Sequence, residues 1–156
     1  MSIDRVREYF RGFAMEERIL EFAVSSATVE LAAEAVGVIP ARIAKSLTFM
    51  LPDGPIIIVA AGDARIDNPR YKAMFHTKAK MLTAQEVTER IGHNVGGVCP
   101  FAIMDDVGVY LDESMKRFDT VYPACGSSNS AIELNMEQLE RYSRAESWVD
   151  VCKDWA

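Results

Sequence analysis

The chain has 156 residues, 49% of them hydrophobic, which is enough for one domain with a core that needs no covalent staples. A formal charge of −6 argues against gripping long nucleic acid mainly through phosphates, so DNA is not an expected partner and any RNA contact is local. No run approaches the roughly 20 apolar residues of a spanning helix, and Cys99, Cys125 and Cys152 are too scattered for a disulfide framework or zinc knuckle, so a soluble, cytoplasmic protein with reduced thiols is expected.

Ser2 is expected to cap a first helix whose apolar positions Ile3, Val6, Phe10 and Phe13 follow helical spacing and which ends near Gly12. Arg18 to Ala23 reads as a short strand. The run Ser25-Ser26-Ala27-Thr28 supplies caps for a second helix that stops at Gly37. Pro40 suits the first turn of a short helical segment through Ile43, where its missing N–H is not needed.

Lys45 follows at once, between that segment and a strand from Ser46 to Leu51. Pro52-Asp53-Gly54-Pro55 then turns the chain into a second strand, Ile56 to Ala61, apolar throughout and so buried on both faces. Asp67-Asn68-Pro69 opens a helix to about Phe75, and Lys78 to Leu82 reads as a brief strand. Thr83-Ala84-Gln85-Glu86 has the form of a reciprocal capping box, with Gly92 at the helix end.

Asn94-Val95-Gly96-Gly97-Val98-Cys99-Pro100 comes next. Two glycines let backbone N–H groups approach another molecule, as an oxyanion hole or anion nest requires. Strands are expected at Val107 to Asp112 and Thr120 to Ala124, followed by a second small-residue loop from Ala124 to Ser130 that runs into Ile132-Glu133-Leu134. A capped helix from Asn135 to about Tyr142 and a strand or docked tail at Trp148 to Cys152 complete the pattern. Irregular interleaving with hairpins predicts a mixed α/β (α+β) fold, a partly barrel-like sheet flanked by helices, with residues 1–156 as a single domain.

Read as chemistry, Cys99 lies six residues after His93, so a cysteine hydrolase with Asp105 or Asp106 orienting the imidazole is one reading; a buried small hydrophobe is the other. G-x-S-x-G is absent around Ser127, Ser128 and Ser130, and so is any Walker or dinucleotide fingerprint. His76 and His93 lack metal-ligand spacing, so neither a metal nor another cofactor is expected. Lys45, held by a strand start, is the cation best placed to point into a cleft, although a solvated strand-end lysine would look the same.

Taken together, Ala44-Lys45-Ser46-Leu47, the strand Ile56 to Ala61, Gly96-Gly97-Val98-Cys99-Pro100 and Gly126-Ser127-Ser128-Asn129-Ser130-Ala131-Ile132-Glu133-Leu134 resemble the YbaK/EbsC family. This family includes the editing domain of bacterial prolyl-tRNA synthetase and free-standing relatives. The blocks keep their order from about Glu17 to Tyr142, which is more specific than any one of them.

The resemblance implies a barrel-like mixed fold and a trans-acting aminoacyl-tRNA deacylase, acting on the acceptor end of mischarged tRNA, with a synthetase as a candidate partner. It implies roles for Lys45, which would position substrate, and for Gly96 and Gly97, whose N–H groups would stabilise an oxyanion. It also implies a pocket lined by Val98, Cys99, Pro100, Gly126, Ser127, Ser128 and Asn129, with Cys99 as a wall whose size helps choose the amino acid. Some cysteinyl-specific relatives carry an acidic residue where this chain has Ala131, so cysteinyl specificity is not implied. Lys45, Arg65, Arg70, Lys72 and Lys80 are the candidates for phosphate contacts. The alternative is a non-catalytic module that holds a tRNA end or a protein in the same pocket.

Overall fold

The computed structural model describes residues 2–155. Helix α1 (Ser2–Arg11) buries Val6 and Phe10, and the Phe10 ring meets Phe101 and Tyr142 edge-on at 4.8 and 5.5 Å. Ser2 is already helical, and its hydroxyl donates to Gly92 O at 3.3 Å rather than capping its own helix. After a 3₁₀ turn at Glu16–Arg18 comes β1 (Ile19–Glu21), shorter than its apolar run suggests. Helix α2 (Val29–Val36) is capped as expected, with the Thr28 hydroxyl accepting from Leu31 N and Gly37 left-handed at φ 87°.

Strands β2 (Ile43–Leu51) and β3 (Gly54–Ala61) form a long antiparallel hairpin in which Lys45 faces Ala60 across the ladder. Lys45 is thus the third residue of a strand that begins earlier than the sequence pattern indicates, because Ile43 and Ala44 pair in parallel with Tyr122 and Pro123. Ile57, Ile58, Val59, Ala60 and Ala61 are fully buried, and each large apolar side chain among them contributes about 1.5–3 kcal/mol.

Next come β4 (Arg65–Ile66) and α3 (Asn68–Phe75), capped by Asp67. The Lys78 to Leu82 segment makes one bridge, Phe49 to Met81, in place of a full strand. The Thr83 and Glu86 capping box forms, but α4 (Ala84–Glu86) widens at once into a π turn over Val87–Ile91 that buries Val87 and Ile91.

The chain continues with β5 (Gly108–Asp112), a 3₁₀ segment at Glu113–Arg117, β6 (Thr120–Pro123), β7 (Ser130–Ile132) and β8 (Leu134–Asn135). It ends with α5 (Met136–Ser143), β9 (Ser147–Val149) and β10 (Cys152–Lys153). The principal sheet has the order β8-β6-β2-β3-β5-β9, with β1 paired to β7 and β4 to β10 in two smaller ladders. It mixes parallel and antiparallel pairs and curls into a half-barrel with helices outside, the expected architecture. Among the described residues no helix is long and apolar enough to cross a membrane.

Candidate active site

The start of β2, the start of α2 and the two small-residue loops enclose a cavity of about 290 Å³. Lys45, Gly96 and Val98 line it, and Ser130 and Ala131 form the opposite wall where the second loop enters β7. The Lys45 ammonium donates to Gly62 O at 3.3 Å and to Ala64 O, both on the turn after β3. An ammonium has three donors, so one N–H remains for a ligand. Partial burial pushes the Lys45 pKa down; Asp63 and Glu30 oppose that shift.

The two adjacent glycines serve different ends. Gly96 adopts φ 94°, a left-handed conformation, and a side chain beginning there would make ordinary van der Waals contact, with Ala27 Cβ at 3.6 Å and Ser128 Cβ at 3.7 Å from an added Cβ. Gly97 lies against the backbone of the second loop, where a Cβ would come within 2.8 Å of Ser127 N and 2.9 Å of Gly126 C. Gly97 N–H is spent on Asn94 O at 3.0 Å. Among the described residues, no protein acceptor takes the N–H of Gly96 or of Val98. Gly96 and Val98 therefore line the cavity with their N–H groups uncommitted, whereas Gly97 stands behind the wall and lets the loops touch.

Gly126, Ser127, Ser128 and Asn129, expected to face the pocket, also stand behind it. Gly126, at φ 89°, sits against the backbone of Ser2. Ser128 O accepts from Ser26 N at 2.6 Å, Asn129 O from Phe22 N at 2.8 Å, and Asn129 Nδ2 donates to Phe22 O at 3.0 Å. Ser127 Oγ meets Asn129 Oδ1 at 2.9 Å and Ser130 Oγ at 2.8 Å. These bonds fix residues 22–26 as a wall. Ser26, which the sequence reading does not single out, lines the cavity along with Ala27 and Thr28.

Cys99 and Pro100 do not line it either. Cys99 is fully buried against Phe101 O (3.6 Å) and His93 Nε2 (3.5 Å), and Pro100 faces a separate cavity of about 410 Å³ that includes Tyr9, Asp105 and Arg144. Residues alternate sides of the loop, so Val98 faces the cavity while Cys99 turns into the core. Burial pushes the Cys99 thiol up to about 12, away from thiolate chemistry. His93 Nε2 lies 2.8 Å from Phe101 O and so carries the proton, which leaves that nitrogen unable to accept one from the thiol. Among the described residues its Nδ1 is buried without a hydrogen-bond partner and Asp106 pairs with Arg90 at 3.5 Å, so none of their carboxylates orients the ring. Cys99→Ala should lose about 1–2 kcal/mol of stability to the small void while leaving the cavity lined by Lys45 unaltered; chemical denaturation checks this.

The basic residues fall into two groups. Arg65 and Arg70 are engaged with Asp154 at 4.0 Å and Asp150 at 3.1 Å near the chain end. Lys72 and Lys80 form no close ion pair among the described residues, although the Thr83 N–H and, after it, Lys80 help hold the Glu86 carboxyl below its usual range, and Met81, next to Lys80, lines the cavity.

The half-barrel sheet thus carries a cavity lined by Lys45, Gly96 and Val98, with one ammonium tethered to the neighbouring turn and two backbone N–H groups that no protein acceptor among the described residues takes. The chain belongs to the aminoacyl-tRNA editing domain family, whose model matches residues 24–142. It is 54% identical over 156 residues to "Uncharacterized protein YwhH" of Bacillus subtilis (strain 168), covering 99% of both chains. It is 28% identical over 123 residues to "Putative Cys-tRNA(Pro)/Cys-tRNA(Cys) deacylase EbsC" of Enterococcus faecalis, covering 76% of this chain and 75% of that one. A "Proline--tRNA ligase" of Lactiplantibacillus plantarum matches at 25% over 80% of this chain, which spans only 22% of that larger protein. Among solved structures, "Crystal structure of a putative trans-editing enzyme for prolyl tRNA synthetase" superposes with a TM-score of 0.87 at 25% identity, covering 97% of each chain.

Proposed function

We propose that this protein is a trans-acting aminoacyl-tRNA deacylase that hydrolyses the ester between a wrong amino acid and the terminal ribose of a tRNA. One observation supports the reading: Lys45, Gly96 and Val98 line one cavity of about 290 Å³, a volume that suits a small group, and each keeps an N–H that no protein acceptor takes among the described residues. The ester carbonyl oxygen lies against Gly96 and Val98 N–H. As the oxygen of water bonds to the carbonyl carbon, negative charge gathers on that oxygen, and each preorganised donor stabilises it by about 2.7–4 kcal/mol.

The carbon–oxygen bond to the ribose then breaks, its electron pair stays on the ribose oxygen, and that oxygen takes the proton given up by the attacking water, leaving the free amino acid and the ribose hydroxyl. The third Lys45 N–H holds a ribose or phosphate oxygen and so fixes the ester against the loop. None of the residues lining the cavity is a carboxylate or an imidazole, so water is activated by a substrate hydroxyl or amine. Ser26 and Ser46 carry buried hydroxyls without partners in the same wall, and a χ1 rotation makes either available to the substrate.

Recognition is confined to the acceptor end, with Lys72 and Lys80 as phosphate contacts and a synthetase as a candidate partner in the cytoplasm. Incubating the protein with tRNAs mischarged with alanine, serine, threonine or cysteine should release at least one amino acid well above the spontaneous rate. The missing side-chain base favours one rival, a module that binds the tRNA end without turnover. Saturable binding of every intact aminoacyl-tRNA with no release would establish that rival instead.

A further inference from the structure

The turn that tethers Lys45 is itself gripped from outside the cavity. Asp63 lies between Gly62 and Ala64, the two residues whose carbonyls accept from the ammonium. Arg117, at the end of the 3₁₀ segment after β5, donates from Nη1 to Asp63 Oδ2 at 2.9 Å and from Nη2 to Oδ1 at 2.5 Å, a two-pronged pairing. The guanidinium is fixed in turn by Nε donating to Ser114 O at 2.8 Å and by the rings of Phe118 and Trp155, 4.9 and 5.0 Å away. Ala64 N closes the turn onto Ala61 O at 3.0 Å, and Gly62 is pressed so near Pro40 that a Cβ would come within 2.1 Å of its carbonyl oxygen. The turn is thus boxed between Pro40 on one side and Arg117 on the other.

We propose that Arg117 and Asp63 form a positioning clamp for deacylation: by fixing the Gly62 and Ala64 carbonyls, they aim the remaining N–H of Lys45 into the cavity. This rests on the role given to Lys45 above. Neither residue lines the cavity, so both act through the lysine. A partly exposed ion pair of this kind adds little to stability, whereas displacing a substrate-positioning group by an ångström can cost about a hundredfold in rate. The clamp therefore predicts a large catalytic effect beside a small structural one.

The charged and titratable groups around Lys45 supply a second readout. Asp63 and Arg65 face it from the turn and β4, Glu30 from α2, and Cys152 from β10. The Cys152 thiol, pushed up to about 12 by burial, is neutral near pH 7, which leaves Asp63 and Glu30 as the facing anions. Asp63 itself stays ionised, since Arg117 holds its carboxyl below the usual range. Removing the Asp63 charge lowers the Lys45 pKa further, so the alkaline limb of the rate profile moves to lower pH.

The test uses the full chain and whichever mischarged tRNA the wild type hydrolyses. Asp63→Asn and Arg117→Lys should each lower kcat/KM about tenfold with the melting temperature nearly unchanged. The double variant should fall no further than either single one, and Asp63→Glu should recover most of the loss. The alkaline limb should move to lower pH in Asp63→Asn. If both variants keep wild-type kcat/KM while Lys45→Ala loses it, the clamp is overturned and the deacylase reading stands. A loss in Asp63→Asn with an unmoved alkaline limb, or with a collapse of melting temperature that Asp63→Glu shares, assigns the pair to the fold alone and overturns the clamp too. If the wild type hydrolyses none of the tRNAs, both readings fall together.

Discussion

Lys45→Ala is expected to lower kcat/KM for deacylation by about a hundredfold or more, with the fold retained. The truncated side chain removes the cation proposed to hold the substrate and leaves the carbonyls of Gly62 and Ala64 without their donor. Because the site is only partly buried, water reaches those carbonyls, and the stability loss should be about 1–2 kcal/mol, well inside a domain's usual margin. Lys45→Arg should recover only part of the activity, since the longer side chain and the fixed plane of its donors do not reproduce the compact ammonium held by the Gly62 and Ala64 carbonyls. Because burial pushes the lysine pKa down, activity should also decline on the alkaline side at a lower pH than an exposed lysine would give. Single-turnover deacylation across pH, with circular dichroism for the fold, measures all three.

The second large effect is expected at Gly97. An alanine methyl there would come within 2.9 Å of Gly126 C and Ser127 Cα and still nearer Ser127 N, all backbone atoms that no rotamer change can move aside. The two loops must separate, at a cost of about 2–3 kcal/mol. For a chain of this size that corresponds to a fall in melting temperature of roughly 5–10 °C. Activity should fall with it, because the open N–H groups of Gly96 and Val98 ride on the displaced loop. Gly96→Ala provides the contrast: it has room for the methyl, but φ 94° strains any L residue by about 1–2 kcal/mol. Thermal melts of the two variants separate close packing from backbone conformation.

The difference between these neighbouring glycines shows where sequence reasoning reaches and where it stops. Features written in a few adjacent residues were legible: the Thr28 and Gly37 caps of α2, the capping boxes at Thr83 and Asn135, and the hairpin around Gly54. The mixed, curled sheet followed from the irregular order of strands and helices. Pairings set by distant partners were not legible. The two-residue strands β4 and β10 exist because Arg65 and Ile66 meet Lys153 and Cys152, and nothing local in either segment announces it.

The same limit applies to the cavity. Sequence indicated that Lys45 and the two glycine loops matter together, but a loop pattern does not say which alternate residue faces in. Val98 and Ser26 border the cavity while Cys99 and Asn129 do not, a choice made by the twist of the loop and by the bonds from Asn129 to Phe22. The tether from Lys45 to Gly62 and Ala64 was equally hidden, since it depends on the β2 and β3 register.

The central claim is that an aminoacyl ester sits between Lys45 and the Gly96 to Val98 amides. It is tested most directly by titrating the isotopically labelled protein with a non-hydrolysable aminoacyl-adenosine amide and following its backbone amide resonances. Saturable shifts concentrated at Gly96, Val98, Ser130 and Ala131, weakened by Lys45→Ala, are the predicted result. Shifts confined to Ala102, Ile103 and Arg144 around the other cavity, with Gly96 and Val98 unmoved, would contradict the account.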